Sequence, residues 1–459
     1  MRNIQFQERR ITFPFLIFHF FFFIFLTSCS VEKQIARSAK DDVLSNKALQ
    51  TAHVGISIFD PATNKYLYNY QGDKYFIPAS NTKLPTCYAA MKYLGDSLAG
   101  IRYEYFAEQN LTDNNKRPTL LIEATGDPSF LHKDFTNQPV FKFLKQHINS
   151  GISISGSGWD EQGLGSGWSW NDYQENYMAE RSDFPIYGNL VRFNHQNNRI
   201  TAVPKYFMKE SIYDPTSSLN DEWDDRYTVM RELGSNDFHV TKTNHPIKNI
   251  EIPFTQEYGL IHDLLEDTLG VSIGIIFHYF LKKPYHVIYS QPTDSLLKPM
   301  MHRSDNFFAE QSLLMVSNER LGVMNDEKII DTILKTDFKD LPQKPRWVDG
   351  SGLSRYNLFT PQDFVAILSK MKNEFGMERL KVILPTGGEG TISSYYKADS
   401  GYIYGKTGTL SGVVAFSGFL YTKKGKLLIF STLINNHQSS ATEVRRAIEK
   451  FIQGVRNKF

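Results

Sequence analysis

Apolar and polar positions alternate along Val54-Gly55-Ile56-Ser57-Ile58-Phe59-Asp60 and again at Tyr66-Leu67-Tyr68, across the turn-like Pro61-Ala62-Thr63-Asn64. A period of two is that of paired strands with one face in a core. The period lengthens at Leu84, Cys87, Ala90, Met91 and Leu94, which predicts an amphipathic helix from near Ser80 to Gly95, with Pro85 in the first turns where a missing N–H is tolerated. Near the C-terminus, Tyr402 to Leu410 is followed by apolar runs from Val413 to Tyr421 and from Leu427 to Ile434, separated by Thr422-Lys423-Lys424-Gly425-Lys426. That pattern predicts an antiparallel meander. Ala441, Val444, Ile448, Phe451 and Ile452 trace one helical face suited to packing on the sheet. Between these ends the chain is rich in Gly, Trp, Tyr and short strand-like runs, with no exact repeat. The patterning predicts an α/β (α+β) architecture: an antiparallel sheet flanked by helices, assembled from residues 45–100 and 286–459, with one or more inserted domains over 101–285.

The N-terminus reads differently. Arg2, Arg9 and Arg10 precede a mostly apolar run from Ile11 to Leu26, broken by Pro14 and His19, which is short for a bilayer span and suits a secretion signal over residues 1–28. Leu26-Thr27-Ser28-Cys29 resembles a bacterial lipobox, and that resemblance implies a lipid-modified Cys29; an uncleaved anchor is the alternative. Either reading exports the chain to the cell envelope. Residues 29–44 are polar and read as a tether. Cys87 is the other cysteine of the chain, so with Cys29 lipidated no internal disulfide is expected. With 51 basic and 49 acidic side chains and no basic stripe, nucleic-acid binding is not expected.

Candidate chemistry lies in three short motifs that occur in order. Ser80-Asn81-Thr82-Lys83 opens the first predicted helix, and residues three apart on a helix share a face, so Lys83 can reach the Ser80 hydroxyl. Ser304-Asp305-Asn306 is a polar turn feeding a second apolar helical pattern at Phe307, Phe308 and Leu314. Lys406-Thr407-Gly408 lies in the first strand of the meander, where Gly408 weakens a strand unless something must approach the backbone closely; a substrate docking as an added strand is the expected reason. Each motif alone also reads as an ordinary N-cap or strand. Ser30, Ser295, Ser369 and Ser394 also begin Ser-x-x-Lys, whereas Lys-Thr-Gly occurs once. The order of the three is the signature of penicillin-binding and serine β-lactamase sites. No G-x-S-x-G elbow and no H-E-x-x-H zinc motif is present.

On these motifs and their surroundings the chain resembles the serine D-alanyl-D-alanine carboxypeptidases of the low-molecular-mass class C penicillin-binding proteins, the penicillin-binding protein 4 group. The resemblance extends through Thr125-Gly126-Asp127-Pro128-Ser129, Gly167-Trp168-Ser169-Trp170-Asn171-Asp172-Tyr173, Asp349-Gly350-Ser351-Gly352-Leu353-Ser354-Arg355, Leu384-Pro385 and Gly390-Thr391. The group also carries extra domains between the first two motifs. The resemblance implies a penicillin-binding protein/serine β-lactamase-like transpeptidase fold and a serine peptidase trimming peptidoglycan stem peptides, as carboxypeptidase or also as cross-link endopeptidase. It implies Ser80 as nucleophile, Lys83 as base, Ser304 as proton relay, Asn306 on the substrate amide, Lys406 and Thr407 on the terminal carboxylate, and backbone N–H groups of Ser80 and Thr409 as oxyanion donors, each such contact worth about 3–4 kcal/mol. By position, Asp160 and Arg355 resemble residues that contact the diaminopimelate end of the peptide. No cofactor or metal is implied, and β-lactams are the implied inhibitors. A β-lactamase or esterase on the same fold, and a silent peptidoglycan-binding lipoprotein, stay as alternatives. A lysine serves as base only if its pKa falls, and burial beside a second cation, Lys406, is the expected cause.

Overall fold

A computed structural model of the chain describes residues 31–106, 119–196, 199–208, 211–214, 229–241, 249–257, 259–276, 279–281 and 283–458. The signal and the proposed lipidation residue Cys29 lie outside them. Five antiparallel strands form the main sheet in the order Ile403–Leu410, Val413–Tyr421, Leu427–Asn435, His53–Asp60, Lys65–Tyr70. The two ends of the chain therefore meet through the pairing of His53–Asp60 with Leu427–Asn435. Nearly every residue of the central strands is buried, because helices cover both faces.

On one face lie Lys83–Tyr93, Thr293–His302, Asn306–Leu321 and Pro361–Ile383, sharing a core that includes Leu84, Leu297, Phe308, Phe364 and Leu433. On the other lies Ala441–Lys458, whose Val444, Ile448, Phe451 and Ile452 are buried on the sheet, the face that the spacing predicts. Local chemistry places these helices. Asp305 caps Asn306–Leu321 by accepting from the Phe308 N–H, and Thr360 with Asp363 forms a reciprocal cap on Pro361–Ile383.

Two expected boundaries need correction. Residues 31–39 are helical and continue through the wider turn Lys40–Leu44, with Ile35, Ala39 and Val43 buried in the core shared with Ala441–Lys458. From residue 31 onward the segment is thus packed domain and no tether; its apolar positions recur every four residues, the pitch of a single buried helical face. The second correction concerns the insert. Its five-stranded sheet runs Ile273–Ile276, Ile152–Ser155, Thr119–Ala124, Ser97–Phe106, His286–Pro292, so it begins before residue 101 and ends after residue 285. The entering and leaving strands pair antiparallel with each other, which closes the insert at its own stem. Among the described residues two three-stranded sheets accompany it, and the insert has a separate core containing Phe193, Phe207, Phe238 and Phe254.

Candidate active site

Ser80 sits in a single 3-10 turn, Ala79–Thr82, and the α-helix begins only at Lys83. The sequence pattern predicts an α-helix from Ser80; the tighter turn has three residues per turn and eclipses positions three apart. Lys83 Nζ consequently lies 3.0 Å from Ser80 Oγ. Ala79, just before the nucleophile, has a left-handed φ of 47°, a conformation that costs a non-glycine residue about 1–3 kcal/mol. The surroundings hold it there. The backbone of Gly352 comes so close that a Cβ on it would collide with the Ala79 carbonyl. A Cβ on Gly408 would lie 2.5 Å from the Pro78 carbonyl oxygen. The expectation that Gly408 makes room for substrate is therefore corrected: what approaches it is the turn bearing the nucleophile.

Lys83 is fully buried and touches three oxygens: Ser80 Oγ, Asn306 Oδ1 at 2.6 Å and the Ser351 carbonyl at 2.8 Å. Burial pushes its pKa down to about 8, against the opposing pull of Asp349, Glu310 and Asp305. Ser304, with a left-handed φ of 63°, precedes the capping Asp305 and accepts from Lys406 Nζ at 2.9 Å. Lys406 also donates to the Thr407 carbonyl at 2.7 Å. Burial drives Lys406 well below the usual lysine range, and the nearby Lys83 adds to the fall. The expected direction of that coupling is thus reversed. Lys83 has carboxylates around it to offset its charge, whereas the influence felt by Lys406 besides burial is another cation, so Lys406 bears the pressure.

A cleft of about 820 Å³ opens over this group, lined by Ser80, Ser304, Asn306, Arg355, Thr409 and Asp172 among others. Arg355 donates to the Ser411 carbonyl at 3.1 Å, joining its loop to the turn after the Lys406 strand. Thr409 Oγ1 accepts from Arg445 at 2.6 Å, and Thr407 Oγ1 donates to Thr391. Asp160 is not brought to the cleft. Its carboxylate, 56% exposed, pairs with Lys328 at 2.7 Å; the acid that lines the cleft is Asp172, in the Gly167 to Tyr173 segment. The sequence reading also misses Ser351, which serves through its backbone carbonyl, and Glu310, whose Oε1 accepts from the Ser351 N–H at 2.7 Å. Among the described residues one group has metal-like spacing, His262, Asp263 and Glu266 in the insert, and these side chains already bond to one another, to Ser272 and to the Ile273 backbone.

Residues 36–455 match the model of the D-Ala-D-Ala carboxypeptidase 3 (S13) family. The chain belongs to this family. It is accordingly a serine-type D-Ala-D-Ala carboxypeptidase, a hydrolase of peptidoglycan stem peptides. Its relatives include D-alanyl-D-alanine carboxypeptidase DacB of Haemophilus influenzae, 24% identical over 94% of this chain and 96% of that one. A D-alanyl-D-alanine carboxypeptidase of an Actinomadura species is 25% identical over 87% of this chain and 81% of that one. In fold, the crystal structure of penicillin-binding protein 4 from Haemophilus influenzae superposes with a TM-score of 0.68 at 20% identity, covering 92% of this chain and 98% of that one.

Proposed function

We propose that Ser80 and Lys83 form the nucleophile and base of this S13 peptidase. The single observation that carries the assignment is the set of partners around Lys83 Nζ. A neutral amine has two hydrogens and one lone pair. Asn306 Oδ1 and the Ser351 carbonyl can only accept, so they take the hydrogens and leave the lone pair on the Ser80 hydroxyl. With a pKa near 8, a useful fraction of Lys83 is neutral at ordinary pH.

In the proposed reaction Ser80 Oγ forms a bond to the carbonyl carbon of the penultimate D-alanine while its proton passes to Lys83. The carbonyl oxygen takes the negative charge, facing the N–H groups of Ser80 and Thr409. The bond to the terminal D-alanine nitrogen then breaks, and Ser304 delivers a proton to that nitrogen and is reprotonated with the proton that Lys83 took from Ser80, while Lys406 keeps its own. Water attacks the ester, giving its proton to Lys83, and Ser80 leaves with a proton. Lys406 and Thr407 hold the substrate's terminal carboxylate, whose charge restores the proton that burial disfavours on Lys406. A β-lactam enters by the same first step and stays as the ester. The test is D-alanine release from a synthetic acyl-D-Ala-D-Ala peptide: turnover by the wild type and none by Ser80→Ala is expected, and equal release by both would overturn the assignment.

Export and attachment through a lipid on Cys29 rest on the N-terminal sequence, and they put the enzyme on the periplasmic side of the cell envelope. Cys29→Ala should abolish palmitate incorporation; retained label would refute the anchor.

A further inference from the structure

The inserted region does more than decorate the sheet domain. Three of its residues, all between positions 159 and 182, reach the groups around Lys83. Asn306 Nδ2 donates to the Tyr177 carbonyl at 3.0 Å, and because an amide has its oxygen opposite its nitrogen, this bond turns Asn306 Oδ1 toward Lys83. Trp168 Nε1 donates at 3.0 Å to Asp349 Oδ2, and the same carboxylate accepts from the N–H groups of Gly352, the other half of the Ser351 peptide bond, and of Ser354. Arg181, 1% exposed, places its guanidinium carbon 5.6 Å from the centre of the Trp168 ring and lies 3.6 Å from Glu310 Oε2, while Glu310 Oε1 holds the Ser351 N–H. Arg181 also pairs with Asp326 at 2.6 Å and Glu161 at 3.2 Å, so its position is fixed from both regions of the chain. Trp168, Tyr177 and Arg181 are not part of the insert's own apolar core.

We propose that Arg181, Trp168 and the Tyr177 carbonyl are positioning groups for the base: through Glu310, Asp349 and Asn306 they set two of the three oxygens that surround Lys83 Nζ, and acylation therefore depends on docking of the insert. The proposal rests on Lys83 being the base. The geometry gives it a physical basis. If either acceptor swings away, Lys83 loses a hydrogen-bond partner, its lone pair is no longer held on Ser80, and displacements of an ångström at such a distance from the chemistry cost about 100-fold in rate. Burial raises Glu310 to about 7 and Arg181 opposes that rise, so the arginine also favours the ionised carboxylate that grips the Ser351 N–H.

The experiment is rapid-mixing acylation of the full-length chain by benzylpenicillin, which separates the dissociation constant of the first complex, the acylation rate constant and the fraction of chains acylated. Arg181→Met should lower the rate constant by about 10- to 100-fold and Trp168→Phe by about 3- to 10-fold, with the dissociation constant within about 2-fold of wild type and every folded chain finally acylated. A merely structural role would lower the acylated fraction and the melting temperature while the folded chains reacted at the wild-type rate; that outcome, or unchanged rate constants in both variants, overturns the proposal. Should Arg181→Met fail to fold, Trp168→Phe, which keeps an aromatic ring and loses one donor, decides alone. If the wild type itself does not acylate at Ser80, the reading of Lys83 as base fails first, and the two failures are told apart.

Discussion

In the sheet domain the groups aimed at the cleft are side chains of unusual chemistry, two fully buried lysines and two hydroxyls within hydrogen-bond distance of them. In the insert the corresponding contributions are a backbone carbonyl, an indole N–H and a guanidinium that act on residues of the sheet domain. The first region pays for its chemistry by burying charge; the second keeps the resulting arrangement in place with ordinary hydrogen bonds. A motif announces the first kind of contribution, because few residue types can supply it. The second kind is compatible with many sequences, and its evidence is geometric.

The largest expected effect lies in the sheet domain. Lys83→Arg keeps a positive charge and cannot lose its proton usefully, so acylation by benzylpenicillin should fall by about 100- to 10,000-fold with the fold retained. Lys406→Arg retains the charge that holds a carboxylate and should be milder, weakening binding more than the acylation step. Equal losses in the two variants, measured by stopped-flow acylation, would erase the distinction drawn between the lysines.

Next in size is the pH dependence. The base must be neutral, and Lys83 has its pKa lowered to about 8, so the acylation rate should climb about tenfold per pH unit below that value and level off above it. Lys406 is pushed well below the lysine range, so substrate binding should weaken as pH rises and its proton is lost. Because arginine stays protonated throughout this range, Lys406→Arg should remove the alkaline fall in binding and leave the ascending limb in place. A rate profile that is flat from pH 6 to about pH 9 would contradict the assignment of Lys83, and binding that does not weaken with rising pH would contradict that of Lys406.

The smallest effects sharpen the boundary of the insert's contribution. Asp172 lines the cleft and Asp160 pairs with Lys328 on the surface, an exposed pair worth about 0–1 kcal/mol. Asp172→Asn should raise KM for a stem peptide bearing a free side-chain amine by about 3- to 10-fold, and Asp160→Asn should change it by less than about 2-fold. The reverse ranking would restore Asp160 as the contact with the peptide.

What could be read in advance follows from the same contrast. Ser80 and Lys83 were visible because a spacing of three brings side chains together in a 3-10 turn as in an α-helix, so the wrong helix type did not spoil the pairing. The meander was visible because alternating apolar runs and a lysine-rich turn have few other uses. The carbonyls of Ser351 and Tyr177 were invisible, since every residue carries one. Asp160 and Asp172 are both acids in polar, glycine-rich sequence, and only the path of the chain separates them. Residues 31–44 looked like a tether because their average composition is polar, although Ile35, Ala39 and Val43 already carried the four-residue spacing of a buried face. Gly408 was singled out for the right property and the wrong neighbour: the close approach is real, and it comes from Pro78.

The central claim is that Ser80 is made nucleophilic by Lys83. Its most direct test is mass spectrometry of the intact chain and its proteolytic peptides after brief exposure to benzylpenicillin, with Ser80→Ala and Lys83→Arg alongside. The account predicts one penicilloyl adduct per wild-type chain on the peptide containing Ser80, none in Ser80→Ala, and only slow accumulation in Lys83→Arg. An adduct on another residue, an undiminished adduct in Ser80→Ala, or wild-type labelling speed in Lys83→Arg would contradict it.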